Sequence, residues 1–219
     1  MALNKLKFNS LNVTPTAGKT IGFNSSADGL EATLSGGDMQ FIKKLTASSS
    51  GTLSFVNGSS DVVLDNTYKE YIFLFKDIHP ATDGAWFEFN MSTDGGSNYN
   101  VTKTSSSFNA FHYESDSSSG LAYRTDFDLA QSTSFQTIAP YLGNGNDESA
   151  SGFVQIFNPS STTFVKHFIA RNSSQGDTDY SRDGYYAGYG NTTSAVNAIQ
   201  FKMSSGNIDA GTITLYGIN

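Results

Sequence analysis

VNAIQFKMSSGNIDAGTITLYGIN, residues Val196 to Asn219, alternates apolar and polar side chains, breaks at a loop bearing Gly and Asn, and alternates again. Ile199, Phe201 and Met203 share one side, with Gln200, Lys202 and Ser204 on the other. Beyond Gly206 and Gly211, Ile213 and Leu215 share a face, while Thr212, Thr214 and Tyr216 take the opposite one. A period of two marks strands with one buried face, and the short Gly-bearing break between them predicts a hairpin.

Working back along the chain, the same signal recurs in short segments. Glu70 to Ile78 (EYIFLFKDI) is apolar on both faces, which predicts a central strand covered on both sides. Ala85 to Met91 sets Phe87, Phe89 and Met91 against Trp86. Gly152 to Phe157 and Thr163 to Ala170 flank Asn158-Pro159-Ser160-Ser161, whose Pro and Asn suit a hairpin loop. Gln40 to Leu45, Thr52 to Val56, Phe108 to Tyr113, Thr133 to Ile138 and Tyr185 to Tyr189 are further strands, and Thr125 to Gln131 reads as a helical turn. Many short strands between Gly/Asn/Ser loops indicate an all-β fold, an antiparallel β-sandwich of jelly-roll type. Residues 1–50, broken by Pro15, Gly18 and the Gly36-Gly37 pair, read as an extended N-terminal arm with edge elements, and residues 51–219 as the sandwich.

Composition agrees with a β-rich domain. Hydrophobic residues are 37% of the 219, yet 17 Phe and 11 Tyr supply large buried surfaces. A net charge of −7 with charged residues at only 15% argues against nucleic acid and anionic membranes as partners. The absence of Cys removes disulfides and thiolate chemistry. The opening MALNKLKFNS lacks a signal-peptide core, and no apolar run reaches the ~18 residues of a membrane span, so synthesis and assembly in a cytosol are expected.

Few residues suggest chemistry. Asp177, Asp179 and Asp183 in DTDYSRDG lie close enough in sequence for one hard cation, calcium being the ion such a loop would take. The spacing departs from an EF-hand and Arg182 competes, so a solvated polar loop is the preferred reading and calcium the alternative. No other cofactor is expected. Ser92 to Tyr99 (STDGGSNY) matches an Asp-box hairpin, a structural turn in which Asp94 accepts backbone N–H bonds and Gly96 supplies a positive φ. His79, His112 and His167 are not paired by spacing, and Glu88 has no partner carboxylate for glycosidase chemistry. No nucleophile elbow, phosphate loop, zinc motif or dinucleotide fingerprint occurs, which argues against an enzyme. Tyr180, Tyr185, Tyr186 and Tyr189 cluster in a Gly-rich stretch, where they can fill the core, form a protein interface or stack on sugars.

Several segments together resemble small virion structural proteins of tailed phages, in particular those of marine and cyanobacterial hosts. They are LNVTP near the start, YKEYIFLFKDIHPATDG, GGSNYNVTKTSS, FNPSSTTFVKHFIA and NTTSAVNAIQFKMSSGNIDAGTITLYGI, spread from about Leu11 to Ile218. The resemblance implies a place in the virion and carries no catalytic residues. The expectation is a non-enzymatic surface protein of the particle, first of all a capsid decoration protein. It would contact the major capsid protein or other virion proteins, form a homo-oligomer such as a trimer, and attach through the arm around Met1 to Gly37. A tail-fibre or tail-tip recognition module and a carbohydrate-binding module are the alternatives.

Overall fold

The computed structural model describes residues 19–23, 30–34 and 39–218, and the chain divides into two compact units, Met1–Gln40 and Phe41–Asn219. In the first, β1 (Lys19–Phe23) and β2 (Leu30–Leu34) form an antiparallel pair running from Lys19↔Leu34 to Phe23↔Leu30. The rest of the arm expected over Met1 to Gly37 lies outside the described residues.

The other strands are β3 (Met39–Thr46), β4 (Thr52–Val56), β5 (Glu70–Pro80), β6 (Ala85–Ser92), β7 (Lys103–Tyr113) and β8 (Ser119–Tyr123). They are followed by β9 (Gln136–Leu142), β10 (Ala150–Phe157), β11 (Lys166–Gly176), β12 (Tyr180–Gly190), β13 (Ala198–Met203) and β14 (Ile208–Ile218). They make one antiparallel sheet with two arms. The longer runs β3-β14-β5-β10-β11-β12-β7-β8 and the shorter β9-β6-β13-β4. The arms join where β11 meets β9 at one pair, Gly176↔Leu142, so the sheet folds over itself as a nearly closed barrel.

The inner faces meet in an aromatic core. Phe201 on β13 lies 5.5 Å from Phe73 on β5, 5.7 Å from Phe87 and 6.2 Å from Phe89 on β6, and 6.3 Å from Phe55 on β4. Phe75 packs edge-on to Phe87, and Phe89 edge-on to Phe168 of β11. All seven rings are buried. Rings at 4.5–7 Å in tilted or edge-to-face geometry combine large area with favourable quadrupole contacts.

The closing segment corrects the hairpin expectation. Its alternation is as read, with Ile199, Phe201, Met203, Ile213 and Leu215 all buried. Yet β13 pairs with β4 and β6, while β14 pairs with β5 and β3. Both flanks of each strand are already taken, so the chain crosses from one arm to the other through Ser204–Asn207, with Gly206 at φ +67°. Gly211, at φ +114°, meets a bulge at Asp77, where an added Cβ would lie 2.5 Å from the Asp77 carbonyl.

Other outcomes are mixed. Asn158 to Ser161 does turn between β10 and β11, closed by Ser161 N–H donating to the Asn158 carbonyl at 3.0 Å. Residues 125–127 form a turn rather than a helix. β8 has no counterpart in the sequence reading, because SGLAY is exposed throughout and lacks an inside/outside contrast. β5 is central but covered on one face only: Tyr71, Phe73 and Phe75 are buried, whereas Leu74 is 38% exposed. The outward row is open to a partner.

Phe201 sits at the centre of the ring contacts, so Phe201→Ala is expected to cost about 3–5 kcal/mol of unfolding free energy. Phe164→Ala, at a ring 68% exposed, is expected to stay within about 0.5 kcal/mol. Denaturant unfolding followed by fluorescence measures both.

Candidate functional site

Strands β11 and β12 pair along their full lengths, from Lys166↔Gly190 to Gly176↔Tyr180, and their alternation splits the tyrosine cluster in two. Tyr180 and Tyr186 point inward and are buried, together with Arg182. Tyr185 and Tyr189 point outward and are half-buried. Gly184 stands between the inward residues because nothing larger fits: a Cβ there would lie 2.3 Å from Asn172 Oδ1.

On the outer face Tyr185 stacks on Phe108 of β7, with centroids 4.7 Å apart and planes 5° from parallel. The Arg171 guanidinium lies 4.7 Å above the Tyr185 ring. Its Nε and Nη2 donate to the two oxygens of Asp183 at 3.0 and 2.8 Å, and the Tyr185 hydroxyl donates to Asp183 Oδ2 at 3.1 Å. These bonds hold the Asp183 carboxyl below the usual carboxylate range. Register extends the row across the sheet as Tyr123, Phe108, Tyr185, Arg171, Phe153 and Leu74. Beside it a shallow groove of about 600 Å³ runs between Ser106, Phe157, His167, Ile169 and Tyr189. The surface is flat, rich in rings and close to neutral, since its central arginine is answered by Asp183.

The inner side is different. Arg182 is 4% exposed. Its Nη1 donates to the Pro140 carbonyl at 2.6 Å and its Nη2 to the Tyr180 hydroxyl at 2.7 Å, while Nε has no partner. The rings of Tyr180, Tyr141 and Phe127 lie 4.9, 5.5 and 6.0 Å from the guanidinium carbon. Among the described residues Arg182 forms no ion pair, and burial lowers its pKa. It lies in a cleft of about 370 Å³ with Arg124, Tyr113, Tyr141 and Asp177.

The three aspartates proposed for calcium are not brought together. Asp183 lies on the outer face, bound to Arg171, whereas Asp177 borders the inner cleft, where burial and the charge of Asp83 raise its pKa. Asp179 occupies the hairpin turn at φ 53°. Strand alternation is the reason: once β12 begins at Tyr180, Asp183 is committed to the face opposite Arg182. Among the described residues no group of three His, Asp or Glu side chains is arranged to hold a metal ion.

Ser92 to Tyr99 folds as the expected tight turn. Ser92 Oγ donates to Asp94 Oδ1 at 2.6 Å, and Asn98 N and Nδ2 donate to the same carboxylate at 2.9 and 2.7 Å, drawing its pKa down to about 2. Glu88 faces Lys202 at 3.4 Å with no second carboxylate, and its pKa is raised by burial. His79, His112 and His167 stand apart: His79 contacts Gly145 O and Asp209, His112 contacts Asp116, and His167 lies in the outer groove.

Sequence reading missed Lys103 and Lys166, both fully buried. Lys103 Nζ donates to Asn90 Oδ1 at 2.5 Å and to the Val101 carbonyl at 2.7 Å; Asn90 Nδ2 in turn donates to the Tyr99 and Thr133 carbonyls. Nothing in Asn-Val-Thr-Lys-Thr marks that lysine as internal. No protein-family model, curated protein or solved structure matches the chain.

Burial pulls the Lys103 amine down to about 7, against 10.5 ordinarily. Between those values the unfolded chain holds more protons than the folded one, so stability rises with pH from about 7 upward. The slope due to one group approaches about 1.4 kcal/mol per pH unit at most. Unfolding free energy measured at pH 7, 8 and 9 should therefore climb, and Lys103→Met should flatten the climb, leaving the smaller part due to Lys166.

Proposed function

We propose that this chain is a non-enzymatic structural protein of a phage virion, built as a jelly-roll sandwich and carried on the particle surface as a capsid decoration protein. The strand order supports the reading. With β7, β8, β11 and β12 set aside, β3-β14-β5-β10 faces β4-β13-β6-β9. Lettered in chain order B to I, this order agrees with the B-I-D-G and C-H-E-F sheets of a double Greek key, an arrangement frequent in virion coats and lectins. The hairpins β7–β8 and β11–β12 then extend one sheet beyond its partner. The phage resemblance of the sequence points the same way, while fold alone assigns no task.

The outer face supports docking on other virion proteins. Leu74, Phe108, Leu121, Tyr123 and Ile169 are exposed there, in a chain of net charge −7 whose outward Arg171 is already neutralised. Major capsid protein is the proposed partner, with a small homo-oligomer, a trimer in the leading version, as the unit that attaches. Among the described residues β3, β4 and β8 each keep one unpaired edge, which suits assembly.

The parallel stack of Tyr185 on Phe108 favours a second reading, a tail-tip module that recognises host-surface sugars through the same face. Quantitative mass spectrometry of purified particles separates the two. Copies on the order of hundreds per particle are expected for a decoration protein, and about a dozen or fewer for a tail component. Absence from purified particles removes both readings.

A further inference from the structure

We infer that the cleft formed by Arg124, Tyr113, Tyr141, Asp177, Tyr180 and Arg182 binds a sugar carrying one carboxylate, of the hexuronic acid type. The inference stands on the cleft and is independent of the virion reading. Two arginines lie in it, and among the described residues only one is in contact with a carboxylate. Arg124 Nη2 pairs with Asp126 at 2.8 Å, whereas Arg182 has a carbonyl, a phenol and three ring faces but no carboxylate. A guanidinium that is 4% exposed with no carboxylate in contact is costly even with the charge of Asp177 in range, and an incoming carboxylate can offset the cost with charge-assisted bonds.

Polar groups behind Arg182 are also left over. In the next cross-strand row, Asn109 and Asn172 flank Gly184, and both Asn109 amide atoms and Asn172 Oδ1 lack partners, as does Arg182 Nε. Buried unpartnered groups are uncommon; of these only Arg182 lines the cleft, and the asparagine row lies beyond its wall.

Charge and size narrow the ligand. With Arg124 paired, Arg182 is the cleft's cation without a carboxylate in contact, and Asp177 places a carboxylate at the border within range of that charge. A dianionic phosphate would set two charges against Asp177, while a monoanion sets one and meets the two arginines. Asp177 and Thr178 can accept from hydroxyls, and the rings of Tyr113 and Tyr141 offer faces to the C–H side of a pyranose. About 370 Å³ is at the low end for small-molecule sites, as one sugar residue requires.

The test is isothermal titration of the full chain with sodium D-glucuronate, D-glucose and sodium acetate at equal ionic strength. Saturable glucuronate binding, about tenfold or more tighter than either control, is expected. Arg182→Gln should abolish it. Because that side chain is buried and its variant can misfold, Arg124→Gln and Tyr113→Ala at the rim serve as independent variants, with folding checked by circular dichroism. Each should weaken glucuronate about fivefold or more. Absence of saturable glucuronate binding, affinity within about twofold of glucose or acetate, or unchanged binding in both rim variants overturns the inference.

Discussion

The contacts of Phe73 with Phe55 and Phe201, of Phe75 with Phe87 and of Phe168 with Phe89 hold the two arms of the sheet face to face. Hydrogen bonds define each arm, but between them the described backbone pairing is one residue pair, Gly176↔Leu142. With no Cys in the chain, closure rests on burying aromatic area. That requirement explains the composition: a polar sequence supports a core because its rings fall at alternate positions on the strands that face inward.

The same constraint separates the tyrosine hairpin into two surfaces of different chemistry. Outward, Tyr185, Phe108 and the Arg171–Asp183 pair make a flat face of little net charge, suited to a broad partner. Inward, beyond the reach of the aromatic core, β12 places Arg182 among rings and beside unpartnered polar groups. Pairing within the fold silences the charge of Arg171, whereas among the described residues Arg182 has no carboxylate in contact. The difference is a matter of which side of the strand each lies on or faces.

Legibility followed contrast. Strands with an apolar and a polar side, such as β13, β14 and β6, could be read closely from the chain. β8 could not, because all of its residues are exposed, and neither could the lower half of β11, Asn172 to Gly176, which is polar on both faces. The tyrosines were legible as a cluster but not as a site, since their spacing is equally consistent with core and surface. Lys103 was hidden because its burial is compensated by Asn90 and the Val101 carbonyl, partners that carry no sequence signature. The aspartate loop shows the opposite failure: closeness in sequence suggested a shared ion, and the pleat put Asp177 and Asp183 on different sides.

By itself the sequence determined the all-β character, the central strand β5, the turns at Asn158 and Asp94, and which side of most strands is buried. These depend on local alternation and on the few residues that tolerate tight turns. The tertiary structure alone decided that β13 and β14 go to different arms, that one face of β5 stays open, and that Arg182 is buried with no ion-pair partner among the described residues. Those outcomes depend on which strand edges are already occupied when the chain arrives, and period-two patterning is blind to strand partners.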